Sequence, residues 1–226
     1  MKLTVLIIGC GDIGINLGRE LLEEGHQVIG LRRNVEALKD TGITPLALDL
    51  DSLEEADAKS LPQADYVVYT VSADRFEESA YQSAYPEGLK RVLSVLEQHK
   101  TPPRRVFFVS STSVHGQQEG EVVNEETPPD STSFSGTLMC EAEQALINHS
   151  LPGTVIRFSG IYGPGRDRLI HQVAEGRVAA ITPVVYSNRI HRDDCTGIIA
   201  HLIRYQESGE SLADVYLGSD CEPVTM

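Results

Sequence analysis

Positive charge is in short supply. The 226 residues carry 19 Lys and Arg against 33 Asp and Glu, for a formal net charge of -14. Such a chain repels polyanions, so nucleic acid is not an expected partner. Any phosphate it binds must be held by local geometry, through backbone N–H groups and a few placed arginines. Cysteine is scarce too. Cys10, Cys140, Cys195 and Cys221 lie far apart, with neither metal-ligand spacing nor a redox C-x-x-C, which argues against a metal site and leaves reduced, structural thiols. No apolar run approaches membrane-spanning length, and Met1 and Lys2 lead directly into an apolar strand without a signal segment. No membrane and a cytoplasmic location are the expectation. Internal repeats and low-complexity tracts are also lacking, and 41% hydrophobic with 23% charged residues excludes the disordered class.

What is present alternates between strand and helix. Leu3 to Ile8 is an apolar run of strand length, and Ile13, Leu17, Leu21 and Leu22 follow at helical spacing. Gln27–Leu31 and Thr44–Leu48 predict two further strands around a short helix at Val35–Lys39. Tyr66–Val71, a helix at Gly88–His99 and a strand at Arg105–Ser110 extend the series. This alternation predicts an α/β fold with a doubly wound parallel sheet covered on both faces. Residues 116–134 are polar and predict a surface loop before a helix at Ser135–His149. Thr154–Phe158, a helix at Asp193–Tyr205 and Val215–Leu217 complete the reading. Division into a dinucleotide-binding unit, 1–155, and a region of 156–226 interleaved with it is expected. The chain stops at Met226 just after Thr225, a residue suited to begin a helix, so further C-terminal residues are expected.

Gly9-Cys10-Gly11-Asp12-Ile13-Gly14 has the G-x-G-x-x-G spacing, between a strand and a helix at the start of a βαβ unit. Gly9 permits a tight turn, Gly11 removes the side chain that would block a pyrophosphate, and Gly14 lets the helix approach the sheet. The phosphates would meet the helix N-terminus, with Ile13 in its first turn. The Asp12 carboxylate would lie near those phosphates, so it turns away or caps the helix. An NAD site usually has an acid at the end of the second strand; here Leu31-Arg32-Arg33-Asn34 stands there. Arg32 and Arg33 suit a 2′-phosphate, which favours NADP, with NAD as the alternative. Asp49 either faces the adenine edge or is a plain loop aspartate.

These residues resemble the extended short-chain dehydrogenase/reductase superfamily, in its NAD-dependent epimerase/dehydratase-like branch, over nearly the whole chain. Val109-Ser110-Ser111-Thr112-Ser113-Val114-His115-Gly116 is similar to the family's fifth-strand segment, and Arg157-Phe158-Ser159-Gly160-Ile161-Tyr162-Gly163-Pro164-Gly165 to its sixth-strand motif. Arg189–Asp194 and Val215–Pro223 resemble segments that close the substrate region. The resemblance implies that Ser111 orients a substrate hydroxyl or carbonyl. It also implies a Tyr followed four residues later by a Lys, and that pair is missing: Ser135 and Met139 stand there, or Ser133 and Thr137 in a shifted register. The first glycine is displaced from the commoner G-x-x-G-x-x-G, as in atypical members. Candidate substitutes are His115, Tyr162, Tyr81 and Tyr85, while His191 and Asp194 fit a helix start, with Asp194 a suitable cap. Two functions follow as alternatives: an NADP-dependent oxidoreductase, epimerase or dehydratase acting on a small-molecule hydroxyl or carbonyl such as a sugar nucleotide, or a non-catalytic dinucleotide-binding sensor or regulatory module. The resemblance also allows a homodimer through surface helices.

Overall fold

The computed structural model describes residues 1–53, 58–117, 119–177 and 186–225. The chain opens with β1 (Thr4–Ile8), α1 (Asp12–Glu23), β2 (Gln27–Arg32), a 3-10 turn and β3 (Thr44–Ala47). A second series runs through β4 (Tyr66–Tyr69), α2 (Glu78–Gln82), a π turn (Ser83–Glu87), α3 (Gly88–Glu97), β5 (Arg105–Ser111), α4 (Phe134–Ile147) and β6 (Gly153–Phe158). The remainder carries β7 (Gly160–Tyr162), α5 (Arg168–Ala174), β8 (Tyr186–Ser187), β9 (Arg189–His191), α6 (Arg192–Glu207), β10 (Val215–Gly218) and β11 (Val224–Thr225).

Seven strands form one sheet in the order β10-β6-β5-β4-β1-β2-β3, every pairing parallel. Their near-continuous apolar runs are required because the sheet is buried on both faces. Side chains alternate between two cores. Val5, Ile7, Val68, Phe107 and Ile156 face α1 and α6. Leu6, Ile8, Val67, Phe108 and Val155 face the α2–α3 segment and α4. The doubly wound fold expected from the alternation is the one that forms.

Several elements were not legible in the sequence. The helix expected to begin at Gly88 begins ten residues earlier, because Pro86-Glu87-Gly88 signals a break that the π turn absorbs. There the Gly88 N–H donates to the Ser83 carbonyl, five residues back. The bypassed Ala84 carbonyl accepts instead from Tyr69 Oη at 2.6 Å, so a buried β4 phenol satisfies the group that the wider turn frees. The short strands β7, β8, β9 and β11 and the helix α5 also escaped the pattern, being too short or too polar to show periodicity. Val224 and Thr225 pair antiparallel to Ser187 and Tyr186.

Candidate functional site

The winding order reverses between β1 and β4, and ligands of open α/β sheets bind beyond the strand ends at such a point. Gly9 leaves β1 with φ +78°, and a Cβ there would lie 2.6 Å from both N and Cα of Val71. The two strand ends approach this closely only because position 9 has no side chain. Thr70 Oγ1 donates to the Ile8 and Gly9 carbonyls (3.2 and 3.0 Å), and the N–H groups of Gly9 and Cys10 donate to Leu31 O. The turn is thus tied to both neighbouring strands.

Gly11 is the residue before α1 and gives it no side-chain cap. A Cβ at Gly11 would meet only the Gly9 carbonyl oxygen, at 3.7 Å, so the face toward the cleft is open. The first N–H groups of α1 have no acceptor within the helix. A Cβ at Gly14 would press 2.9 Å against Ile7, so this glycine sets how closely α1 lies on the sheet. The Ile13 side chain is buried in the core shared with α6, which leaves only its backbone facing the turn. Asp12 does not cap the helix. Its carboxylate turns outward to accept from Arg166 Nε and Arg192 Nη1, each at 3.0 Å.

A cleft of about 520 Å³ opens beside this turn, lined by Gly9, Gly11, Arg32, Arg33 and Asp49 among others, within the usual range of small-molecule sites. Arg32 Nη1 donates to the Cys10 carbonyl at 3.3 Å, which draws its guanidinium back over the glycine turn. Arg33 Nη2 donates to Asp74 at 2.5 Å, with both side chains mostly exposed. Asp49 accepts from the Asp51 N–H and caps the 3-10 turn that follows. The opposite wall, Val71–Arg75 together with Ser79, Ala80, Ser83 and Ala84, carries no motif. Its one signal was position, immediately after a buried strand at the reversal of winding. Beneath the turn, burial pushes the Cys10 thiol up to about 12, although Arg32 pulls the other way, so it packs as an inert side chain.

Ser111, His115 and Tyr162 lie outside that lining and take separate partners. Ser111 ends β5, and its Oγ accepts from the Ser113 N–H at 3.1 Å. The preceding Ser110 points to the opposite face and donates to Glu143 Oε1 at 2.6 Å. Glu143 and Arg157 form an ion pair, 0% and 3% exposed, through Arg157 Nε and Nη2 (3.0, 3.2 and 2.7 Å). Arg157 Nη1 lies 3.5 Å from His115 Nε2, while His115 Nδ1 is buried without a partner. Burial and the Arg157 charge lower the His115 pKa, so the neutral ring is favoured. Tyr162 is partly exposed, and its ring packs edge-on against His191. Desolvation and the Asp220 carboxylate raise its pKa, the opposite of what a proton-transferring phenol needs.

Glu143 as the buried anion was missed by sequence reasoning. An arginine within the apolar β6 was the available signal, since a buried guanidinium requires an acid. Helix α4 contains neither Tyr nor Lys. The Ser135 Oγ lies 3.3 Å from that of Ser133, which caps the helix by accepting from Gly136 N–H, and Met139 is buried in the core. Thr137 Oγ1 donates to the Ser131 carbonyl. At α6 the cap is His191, whose Nδ1 accepts from the Asp193 N–H at 3.3 Å, rather than Asp194.

The family model of the NAD dependent epimerase/dehydratase family matches residues 5–194, which includes the glycine turn, β5, α4 and the start of α6. The chain belongs to this family. It is similar to Protein YeeZ of Escherichia coli (strain K12), 31% identical over 218 residues, covering 91% of this chain and 74% of YeeZ. A solved structure from Methylobacillus flagellatus, assigned to the NAD-dependent epimerases/dehydratases, is 38% identical at TM-score 0.82, covering 100% of this chain and 78% of that one. Two distant structures share the fold. They are the Bacillus cereus UDP-glucuronic acid 4-epimerase in complex with NAD (21% identical, TM-score 0.79, covering 98% of this chain and 80% of that one) and human epimerase family protein SDR39U1 with NADPH (20%, 0.77, 98% and 76%). No helix among the described residues is long and apolar enough to cross a membrane.

Proposed function

We propose that the chain binds NADP in the β1–β4 crevice and serves an epimerase, dehydratase or reductase reaction on a hydroxyl or carbonyl substrate. In this reading Gly9, Gly11, Asp12, Ile13 and Gly14 form the dinucleotide turn, Arg32 and Arg33 take the 2′-phosphate, and Asp49 faces the adenine end. The observation that carries it is the unhindered approach at Gly11, combined with two arginines where an NAD site has an acid. The Arg33–Asp74 pair does not oppose it, because an exposed pair is worth little and a phosphate can replace the carboxylate. Residues 1–155 would hold the dinucleotide and 156–226 the substrate side. A bound nicotinamide would supply hydride transfer. Ser111 would orient the reacting oxygen, with His115, kept neutral, as the candidate replacement for the absent phenol and Tyr162 the weaker one because its pKa is raised. A sugar nucleotide is the substrate class suggested by the Bacillus cereus enzyme.

The absence of Tyr and Lys from α4 favours a second reading, a dinucleotide-binding module that performs no chemistry. Titration with NADPH and NADH, followed by cofactor fluorescence, tests both readings at their common root. Tighter NADPH binding, abolished by Gly11→Val and equalised with NADH by Arg32→Ala plus Arg33→Ala, is the expected result. No binding of either dinucleotide would overturn both readings. Equal binding of the two would remove the case for NADP alone. NADPH oxidation across a panel of carbonyl substrates then separates enzyme from module.

A further inference from the structure

Asp12 sits at the first position of α1, the end of the glycine turn, where a dinucleotide's diphosphate would meet the helix. A bare carboxylate there is a like charge beside the phosphates. The structure meets that cost from far away in sequence. Arg166 and Arg192 grip one carboxylate oxygen each, at 3.0 Å. Arg192 Nη1 also donates to the Pro164 carbonyl (3.3 Å) and its Nε to Asp193 (3.1 Å), while the Arg166 N–H donates to the Gly163 carbonyl. The two guanidiniums are therefore held by the Gly163–Arg166 loop and the start of α6. This loop is shaped for the purpose: Gly163 and Gly165 have φ +134° and +78°, and a Cβ at Gly163 would meet His191 Nε2 at 3.0 Å and Arg192 Cβ at 3.3 Å.

We propose that Arg166 and Arg192 are positioning residues of the dinucleotide site: by neutralising Asp12 they let the start of α1 accept a diphosphate. This rests on the reading of the crevice as a dinucleotide site. It adds that the site is completed by residues beyond β6, so that the substrate-side loop and the glycine turn are electrostatically coupled. The carboxylate then serves as a latch that holds the loop on the turn.

The test is NADPH binding by the full chain and four variants, with apo melting temperatures as a check on folding. Arg192→Gln should weaken NADPH binding about tenfold, the scale of one screened charge at a helix start. Arg192→Lys, which keeps the charge, should retain affinity to within about threefold. Asp12→Asn alone should tighten NADPH binding, because the like charge is removed while both guanidiniums remain. Combined with Arg192→Gln, it should restore affinity nearly to that of the wild type. If Arg192→Gln has no effect, or if its loss persists when Asp12 is also neutralised, the neutralising role is overturned while NADPH binding by the wild type still stands. Failure of the wild type to bind would overturn the cofactor reading, and this inference with it.

Discussion

Removing the Glu143 carboxylate would strand the Arg157 guanidinium in the interior, with Ser110 also losing its acceptor. Glu143→Ala should therefore cost about 3–5 kcal/mol, the range for breaking a buried pair from one side, measurable by urea unfolding. A loss below about 1 kcal/mol would mean that water or another group takes over the arginine. His115 beside this pair predicts a pH effect of defined sign. Its folded pKa is depressed, so its contribution to stability is complete above the ordinary imidazole value of about 6.5 and is lost as pH falls toward the folded value. His115→Asn should flatten the stability profile over that acid interval, and an unchanged profile would show that the ring stays neutral without cost. Thiol reactivity is a third residue-scale readout. Cys10 and Cys195 are buried, with burial pushing each thiol up to about 12, and Cys221 is exposed. Reaction of the native protein with a disulfide reagent should modify Cys221 fast, while Cys10 and Cys195 wait for unfolding.

At the scale of elements, the α2–π–α3 segment forms part of the cleft wall through Ser79, Ala80, Ser83 and Ala84. Its course depends on Gly88, where a Cβ would meet Tyr69 Oη at 2.5 Å and the Ser83 carbonyl at 2.8 Å. Gly88→Ala should cost about 1–3 kcal/mol by overpacking and should also weaken dinucleotide binding, because relief of the clash moves the wall. Thermal unfolding and the NADPH titration report the two effects separately. A variant of native stability and native affinity would show that the turn yields without consequence.

For the whole molecule, two long-range features dominate. Helices α1 and α6 run side by side in the same direction, joined by Asp12 with Arg192 near their starts and by Glu20 and Glu24 with Arg204 farther along. A net charge of -14 acts against this compact state through self-repulsion. Added salt in the range that shortens the screening length should raise the melting temperature, and a fall would show that the surface pairs outweigh the repulsion. NADPH at 100 times its dissociation constant should add about 2.7 kcal/mol, or about 5–10 °C in melting temperature for a chain of this size.

The sequence by itself determined the sheet, since a strand buried on both faces must read as an apolar run and the intervening helices must repeat at helical spacing. It also marked the glycine turn and the missing acid after β2, because there the chemistry is a matter of residue type at fixed local spacing. Tertiary structure decided everything that joins distant positions. Asp12 could be suspected of turning away, but its partners lie 154 and 180 residues farther on, and no local pattern names them. Glu143 became an interior anion only because β5 and β6 bring Ser110 and Arg157 beneath α4. Pro86 reads as a helix breaker until the π turn takes it up and a phenol from β4 satisfies the Ala84 carbonyl that the wider turn bypasses. Local geometry is written in neighbouring residues, whereas burial and charge compensation depend on which surfaces the packed chain brings together.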